Sequence, residues 1–78
     1  MRKMEMSKTD YSMEETEDGF IFRIREDGYE RAVVIGEITV TAADKFFDVL
    51  VENDVKPGHL LPVAEDYDFA SVALVTAF

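Results

Sequence analysis

Side chains able to do chemistry are few and scattered in this sequence. His59 is the single histidine and there is no cysteine, which excludes a disulfide framework, thiolate nucleophiles and thiolate metal sites. Ser7, Ser12 and Ser71 stand in no nucleophile motif. Gly19, Gly28, Gly36 and Gly58 are isolated rather than gathered into a phosphate-binding loop. His59 follows Pro57-Gly58 in a loop-like stretch, where a lone imidazole is more often a surface residue than a proton-transfer group. Carboxylates are the abundant functional group. A calcium loop of EF-hand type starting at Glu14 would put Arg25 at its twelfth position; a bidentate glutamate is needed there, so that motif fails. Glu65, Asp66 and Asp68 are close enough in sequence to hold a hard cation weakly, but such clusters are more often solvated turns. Glycoside hydrolysis by paired carboxylates needs a sugar-sized cleft, for which so short a chain has little room. The expectation is a non-enzyme with no catalytic residue, no cofactor and no metal site.

The charge balance is more informative. Seventeen acids face eight bases, a net charge of −9. Direct contact with nucleic acid is disfavoured, because phosphates call for a basic surface. Asp44, Asp48 and Glu52 recur at i, i+4 and i+8, and like charges at that spacing destabilise a helix by roughly 0.2–0.5 kcal/mol per pair. Glu52 and Asp54 also lie near the C-terminal end of the expected helix, where the dipole favours cations. From Asp44 to Asp68 there are seven acids and two bases. Folding alone does not ask for this arrangement. It serves either solubility or a basic partner, for which complementary charge speeds encounter and fixes register. The candidate partner-binding residues are therefore Asp44, Asp48, Glu52, Asp54, Glu65, Asp66 and Asp68, standing in for phosphates, with Tyr67 as aromatic anchor.

The expected function is that of a small acidic protein–protein interaction module. It would be an inhibitor or decoy acting on a basic-surfaced, nucleic-acid-handling protein, as phage anti-restriction, anti-CRISPR or immunity proteins do. The alternative is a homodimeric assembly subunit that uses an exposed apolar sheet face.

These residues need a scaffold, and 78 residues make one domain. A chain of that length buries only about 60–65% of its unfolded surface, but a 47% apolar content supports a globular core. No basic start leads into an apolar run, so no signal peptide is read. The longest charge-free stretch, Phe69 to Phe78, is half of what a membrane helix needs. The cytoplasm is the default compartment and no membrane partner is expected.

Residues 1–18 show neither helical nor strand periodicity in this reading and are expected to be a flexible acidic arm, with residues 19–78 forming a single domain. Asp27-Gly28 between β-rich runs signals a two-residue hairpin. That loop length sets Phe22 against Val33, Phe20 against Ile35 and Arg25 against Glu30. At Gly36-Glu37 the alternation changes phase, consistent with a turn into a third short strand or with a bulge. Thr41 is the expected cap of a helix reaching Asn53, with Ala43, Phe46, Phe47, Leu50 and Val51 as its buried stripe. Lys56 to Asp66, punctuated by Pro57 and Pro62, reads as a loop. The last strand, Phe69 to Ala77, is apolar on both faces and is expected at the sheet centre. The predicted fold class is α+β: a small antiparallel sheet of three to four strands packed against one helix, in the order β-β-(β)-α-β.

Overall fold

Asp27-Gly28 turns the chain as the sequence predicts, with both residues at positive φ (51° and 81°), the conformation a two-residue hairpin turn requires. The strands it joins, β3 (Gly19–Glu26) and β4 (Tyr29–Gly36), pair antiparallel. Their register is the expected one, with Phe20 opposite Ile35, Phe22 opposite Val33 and Arg25 opposite Glu30.

The computed structural model describes residues 1–75. It shows an α+β fold in which β1 (Arg2–Met6), β2 (Thr9–Glu15), β3, β4 and β5 (Ser71–Val75) form one antiparallel sheet in sequence order. Two helices, α1 (Val40–Glu52) and α2 (Leu60–Glu65), follow β4, with a 3-10 turn at Pro57–His59 between them.

Five expectations are corrected. Residues 2–15 are not an arm but the hairpin β1–β2. Thr9, Tyr11 and Met13 alternate with Asp10, Ser12 and Glu14, and the first three are buried, the period-2 pattern of a half-buried strand. Its turn, Ser7-Lys8, is made without glycine, by Ser7 at φ 58°, so it carries no conventional turn signal.

No third strand follows Gly36, which is neither a turn centre nor a bulge but the last residue of β4. Glu37 reverses the chain at φ 54°. Helix α1 is then capped by Thr39, whose Oγ1 accepts from the Ala42 N–H at 3.1 Å, two residues ahead of the expected cap. Its buried residues, Ala43, Phe46, Phe47 and Leu50, are those predicted, with Val51 partly buried beside them.

The expected loop Lys56–Asp66 contains α2. Pro62 is its third residue, in the first turn, where a missing N–H costs no helical hydrogen bond.

Finally, β5 is an edge strand rather than a central one, pairing with β4 from Ala32↔Val75 to Gly36↔Ser71. The predicted continuation of this strand through Thr76 and Ala77 lies outside the described residues.

The helices cover one face of the sheet. Tyr11, Met13, Phe20, Phe22, Ile24, Val33 and Ile35 meet Phe46, Phe47, Leu50, Val55, Leu60 and Ala64 in one cluster. The opposite face divides in two. Towards β1 it carries Lys3, Glu5, Asp10, Arg23 and Arg25; towards β5 it carries Ile21, Ala32, Val34, Ala73 and Val75.

Candidate partner-binding surface

The sheet has two electrically different ends. The β2–β3 turn, the β4–α1 connection and the α2–β5 connection all lie at one of them, since β3 begins where β4 ends and Gly36 stands opposite Ser71. A backbone hydrogen bond from Glu37 N–H to Asp18 C=O (3.3 Å) ties the first two together. Residues 15–20, 36–44 and 64–71 contain no Lys, Arg or His. Glu15, Glu17, Asp18, Glu37, Glu65, Asp66 and Asp68 therefore converge on one end, and none of them enters an ion pair among the described residues.

Four of those seven carboxylates were not singled out as candidates by sequence. Glu15, Glu17 and Asp18 belong to an acidic run assigned to an arm, and Glu37 stands alone in the sequence. Only the strand order places them beside Glu65–Asp68.

Tyr67 sits among the acids as an organised aromatic. Its ring stacks on Phe69 (centroids 5.7 Å apart, planes at 14°) and meets Phe46 edge-on at 5.2 Å. Phe46 in turn contacts Phe22 and Phe69 edge-on. The aromatic network thus runs from the core to the surface, and Tyr67, 46% exposed, is its outer member. Edge-to-face and offset pairs of this kind contribute about 0.5–1.5 kcal/mol each beyond burial, so the ring is held in place before any partner arrives.

The other candidate acids are placed differently. Arg2 on β1 reaches α1 and neutralises much of its stripe: Nη1 donates to Asp44 Oδ1 (3.2 Å) and Nη2 to Asp48 Oδ1 (2.9 Å). The same guanidinium lies 4.4 Å above the Phe47 ring. Its pKa is raised, chiefly by the Asp48 hydrogen bond. Asp54 is at the far end, where Lys56 Nζ bonds it at 3.2 Å and Glu26 at 3.0 Å. Glu52, the last residue of α1, points the stripe towards that far end as well. The eight candidates thus do not share one surface: Glu65, Asp66, Tyr67 and Asp68 belong to the acidic end, whereas the α1 stripe runs away from it.

The far end is built for stability. Asp54 takes positive φ (51°) and closes α1, with Val55 N–H bonding Leu50 C=O at 3.0 Å and Asp54 N–H bonding Val51 C=O at 3.2 Å, the paired bonds of a Schellman motif. Tyr11, 1% exposed, donates its hydroxyl to Val55 C=O (3.1 Å) and lies 3.3 Å from Asp54 Oδ1. Burial first, and the Asp54 charge second, raise its pKa. Glu26 is held below its ordinary carboxylate pKa by hydrogen bonds from Lys56 and then from Thr9, and Lys56 is raised in return, first by Glu26.

Among the described residues no group of three or more His, Asp or Glu side chains is placed to hold a metal ion, and no helix is long and apolar enough to cross a membrane. Comparison with known proteins returns no match: no family model fits the chain, and no curated protein or solved structure is significantly similar to it. The surface has to be interpreted from its own chemistry.

Proposed function

We propose that the chain is a protein-binding module that docks its acidic end onto a basic surface, with Tyr67 as the anchor. The supporting observation is the pinned, half-exposed Tyr67 ring among Glu65, Asp66 and Asp68, none of which has an ion-pair partner among the described residues. Rigid aromatics ringed by charge are the residues that dominate interface energetics. Seven carboxylates gathered at one end supply long-range attraction and orientation.

The basic surfaces that fit such an end are those that handle nucleic acid, where the carboxylates take the place of phosphates. In that role the protein is an inhibitor or decoy, of the kind that anti-restriction, anti-CRISPR or immunity proteins represent, and not an enzyme. The α1 stripe contributes less, because Arg2 already occupies Asp44 and Asp48.

The test is affinity capture from a cell lysate at low and high salt, with the wild type, Tyr67→Ala and a triple variant in which Glu65, Asp66 and Asp68 are each replaced by Lys. The wild type is expected to retain basic nucleic-acid-handling proteins at low salt and release them at high salt. Tyr67→Ala weakens retention about tenfold or more, and the triple variant abolishes it. Capture that ignores both salt and charge reversal sinks this reading.

A further inference from the structure

The strand register fixes which side chains stand abreast on the face turned away from the helices. One row across the sheet is Lys3, Ser12, Arg23, Ala32 and Val75; the next is Glu14, Ile21, Val34 and Ala73. Both helices pack on the other face. Ile21, Val34 and Val75 therefore keep part of their surface in water, Ala73 is exposed, and Ala32 is sunk among its neighbours. An apolar patch rimmed by charge on an open sheet face is a place for a partner.

The charged half of the same face supplies a second, independent observation. It carries three cations, Lys3, Arg23 and Arg25, against four carboxylates, Glu5, Asp10, Glu14 and Glu30, where the whole chain has 8 against 17. A second copy thus meets little net repulsion at this face, although the molecule as a whole repels its own kind. Arg25 is tied to Asp10 at 3.3 Å and Arg23 more loosely to Glu14 at 3.4 Å, while Lys3 has no ion pair among the described residues. Between Lys3 and Arg23 stands the short side chain of Ser12, in the wall of a hollow of about 170 Å³ that both cations also line. The hollow has room for a carboxylate brought from outside.

We infer that this face packs against the same face of a second copy, about a two-fold axis that lies between the two sheets and crosses the strands between the Ser12 row and the Glu14 row. Each row then meets the other row of the second copy. Glu14 of one copy sits over Ser12 of the other, between Lys3 and Arg23, and the contact is made twice. Sheets stacked face to face lie about 10 Å apart, a gap that glutamate, lysine and arginine side chains span together. On the apolar side, Val34 of one copy enters the dip at Ala32 of the other, and Ala73 meets Val75. The strands of the two sheets run within about 30° of one line, the aligned packing of sandwiches. The face is complementary to itself in both charge and shape, which is what an isologous contact requires, and a two-fold contact closes by using the face up. The operation reverses the strand direction, so the two acidic ends lie at opposite ends of the pair. Neither Tyr67 nor any of the seven unpaired carboxylates takes part, and the inference stands independently of the proposed function.

A face about 20 Å across and about 25 Å along the strands covers roughly 500 Å² in each copy. The two together come to about the 1,000 Å² at which specific interfaces begin, so the dimer is weak, with a dissociation constant of micromolar order. Sedimentation equilibrium of the full chain reads it directly, and the wild type is expected to be a concentration-dependent dimer. Val34→Lys, which puts a cation into the apolar patch, raises the dissociation constant about tenfold or more with the circular-dichroism spectrum unchanged. The decisive experiment mixes two charge variants. Glu14→Lys sets a cation over Lys3 and Arg23 of its own kind, and the double variant Lys3→Glu, Arg23→Glu sets Glu14 over two carboxylates. Each alone is expected to dimerise about tenfold or more less tightly than the wild type. Mixed in equal amounts they form a heterodimer, in which every such contact again joins opposite charges. A wild type that stays monomeric up to about 0.5 mM overturns the inference. So does a dimer indifferent to Val34→Lys, a mixture that associates no better than its separate components, or a ladder of species beyond the dimer.

Discussion

Arg2 shows how a single side chain changes the meaning of a pattern. Asp44, Asp48 and Glu52 at helical spacing look like a stripe that destabilises its own helix. In the fold, Arg2 bridges the first two and covers Phe47. Both ion pairs are substantially exposed, with 38% exposure on the arginine and 44% and 53% on the aspartates, so each is worth at most about 1 kcal/mol. The cation–π contact adds about 0.5–1 kcal/mol. Arg2→Ala is therefore expected to destabilise the protein by about 1–2 kcal/mol in urea denaturation. Part of that loss should disappear at high salt, where the Asp44–Asp48 repulsion left behind is screened. A loss independent of salt would assign Arg2's contribution to packing on Phe47 alone. The stripe could not be interpreted by sequence because its counter-ion lies 42 and 46 residues away, on a strand that shows no sign of being one.

At the scale of elements, glycine separates what the sequence displays from what it conceals. Gly28 advertises itself in Asp27-Gly28, and its positive φ of 81° explains why; a Cβ there would meet nothing within 4 Å. Gly28→Ala should cost only the conformational penalty, about 1–2 kcal/mol. Gly19 stands in a second Asp-Gly pair, Asp18-Gly19, and what the sequence conceals there is a close approach: a Cβ would run into the Ile35 carbonyl oxygen and lie 2.8 Å from Gly36 Cα. Backbone would have to move at the β3–β4 joint. Gly19→Ala is expected to be the more destabilising of the two by thermal unfolding, and the reverse order would mean that this close approach is relaxed easily.

The same contrast runs through the fold. The β3–β4 register and the buried stripe of α1 were legible because local pattern decides them. The β1–β2 hairpin, the Thr39 cap and α2 were not, because Ser7 turns without glycine, Glu37 reverses the chain before the cap, and Pro62 sits where a helix tolerates it. Two apolar faces on β5 suggested a central strand. The physical reason for them in an edge strand is the helix layer beneath Val72 and Leu74 and the rim of the open face beside Ala73 and Val75.

Over the whole molecule, the acidity is divided between one end that leaves its carboxylates unpaired and another that uses them. Only Glu65–Asp68 was visible as part of the first group; Glu15, Glu17, Asp18 and Glu37 join it through strand order, which composition does not encode. The far end makes its own prediction. Glu26 is held below its ordinary pKa of 4.5 by Lys56 and Thr9, so its contribution to stability is present above that value and is lost as pH falls through the lower, folded-state pKa. Lys56 is raised from 10.5, so its share is present below that value and is lost as pH rises through the folded-state pKa. Glu26→Gln keeps the shape and removes the charge. The wild type should therefore exceed Glu26→Gln in stability by a nearly constant margin between about pH 5 and pH 9, and the margin should close below about pH 4. Using the difference between the two proteins cancels the general relief of repulsion that acid brings to a chain of this charge. Denaturation curves across that range decide the matter: a margin that persists unchanged to about pH 3 would mean that it does not come from the charge of Glu26.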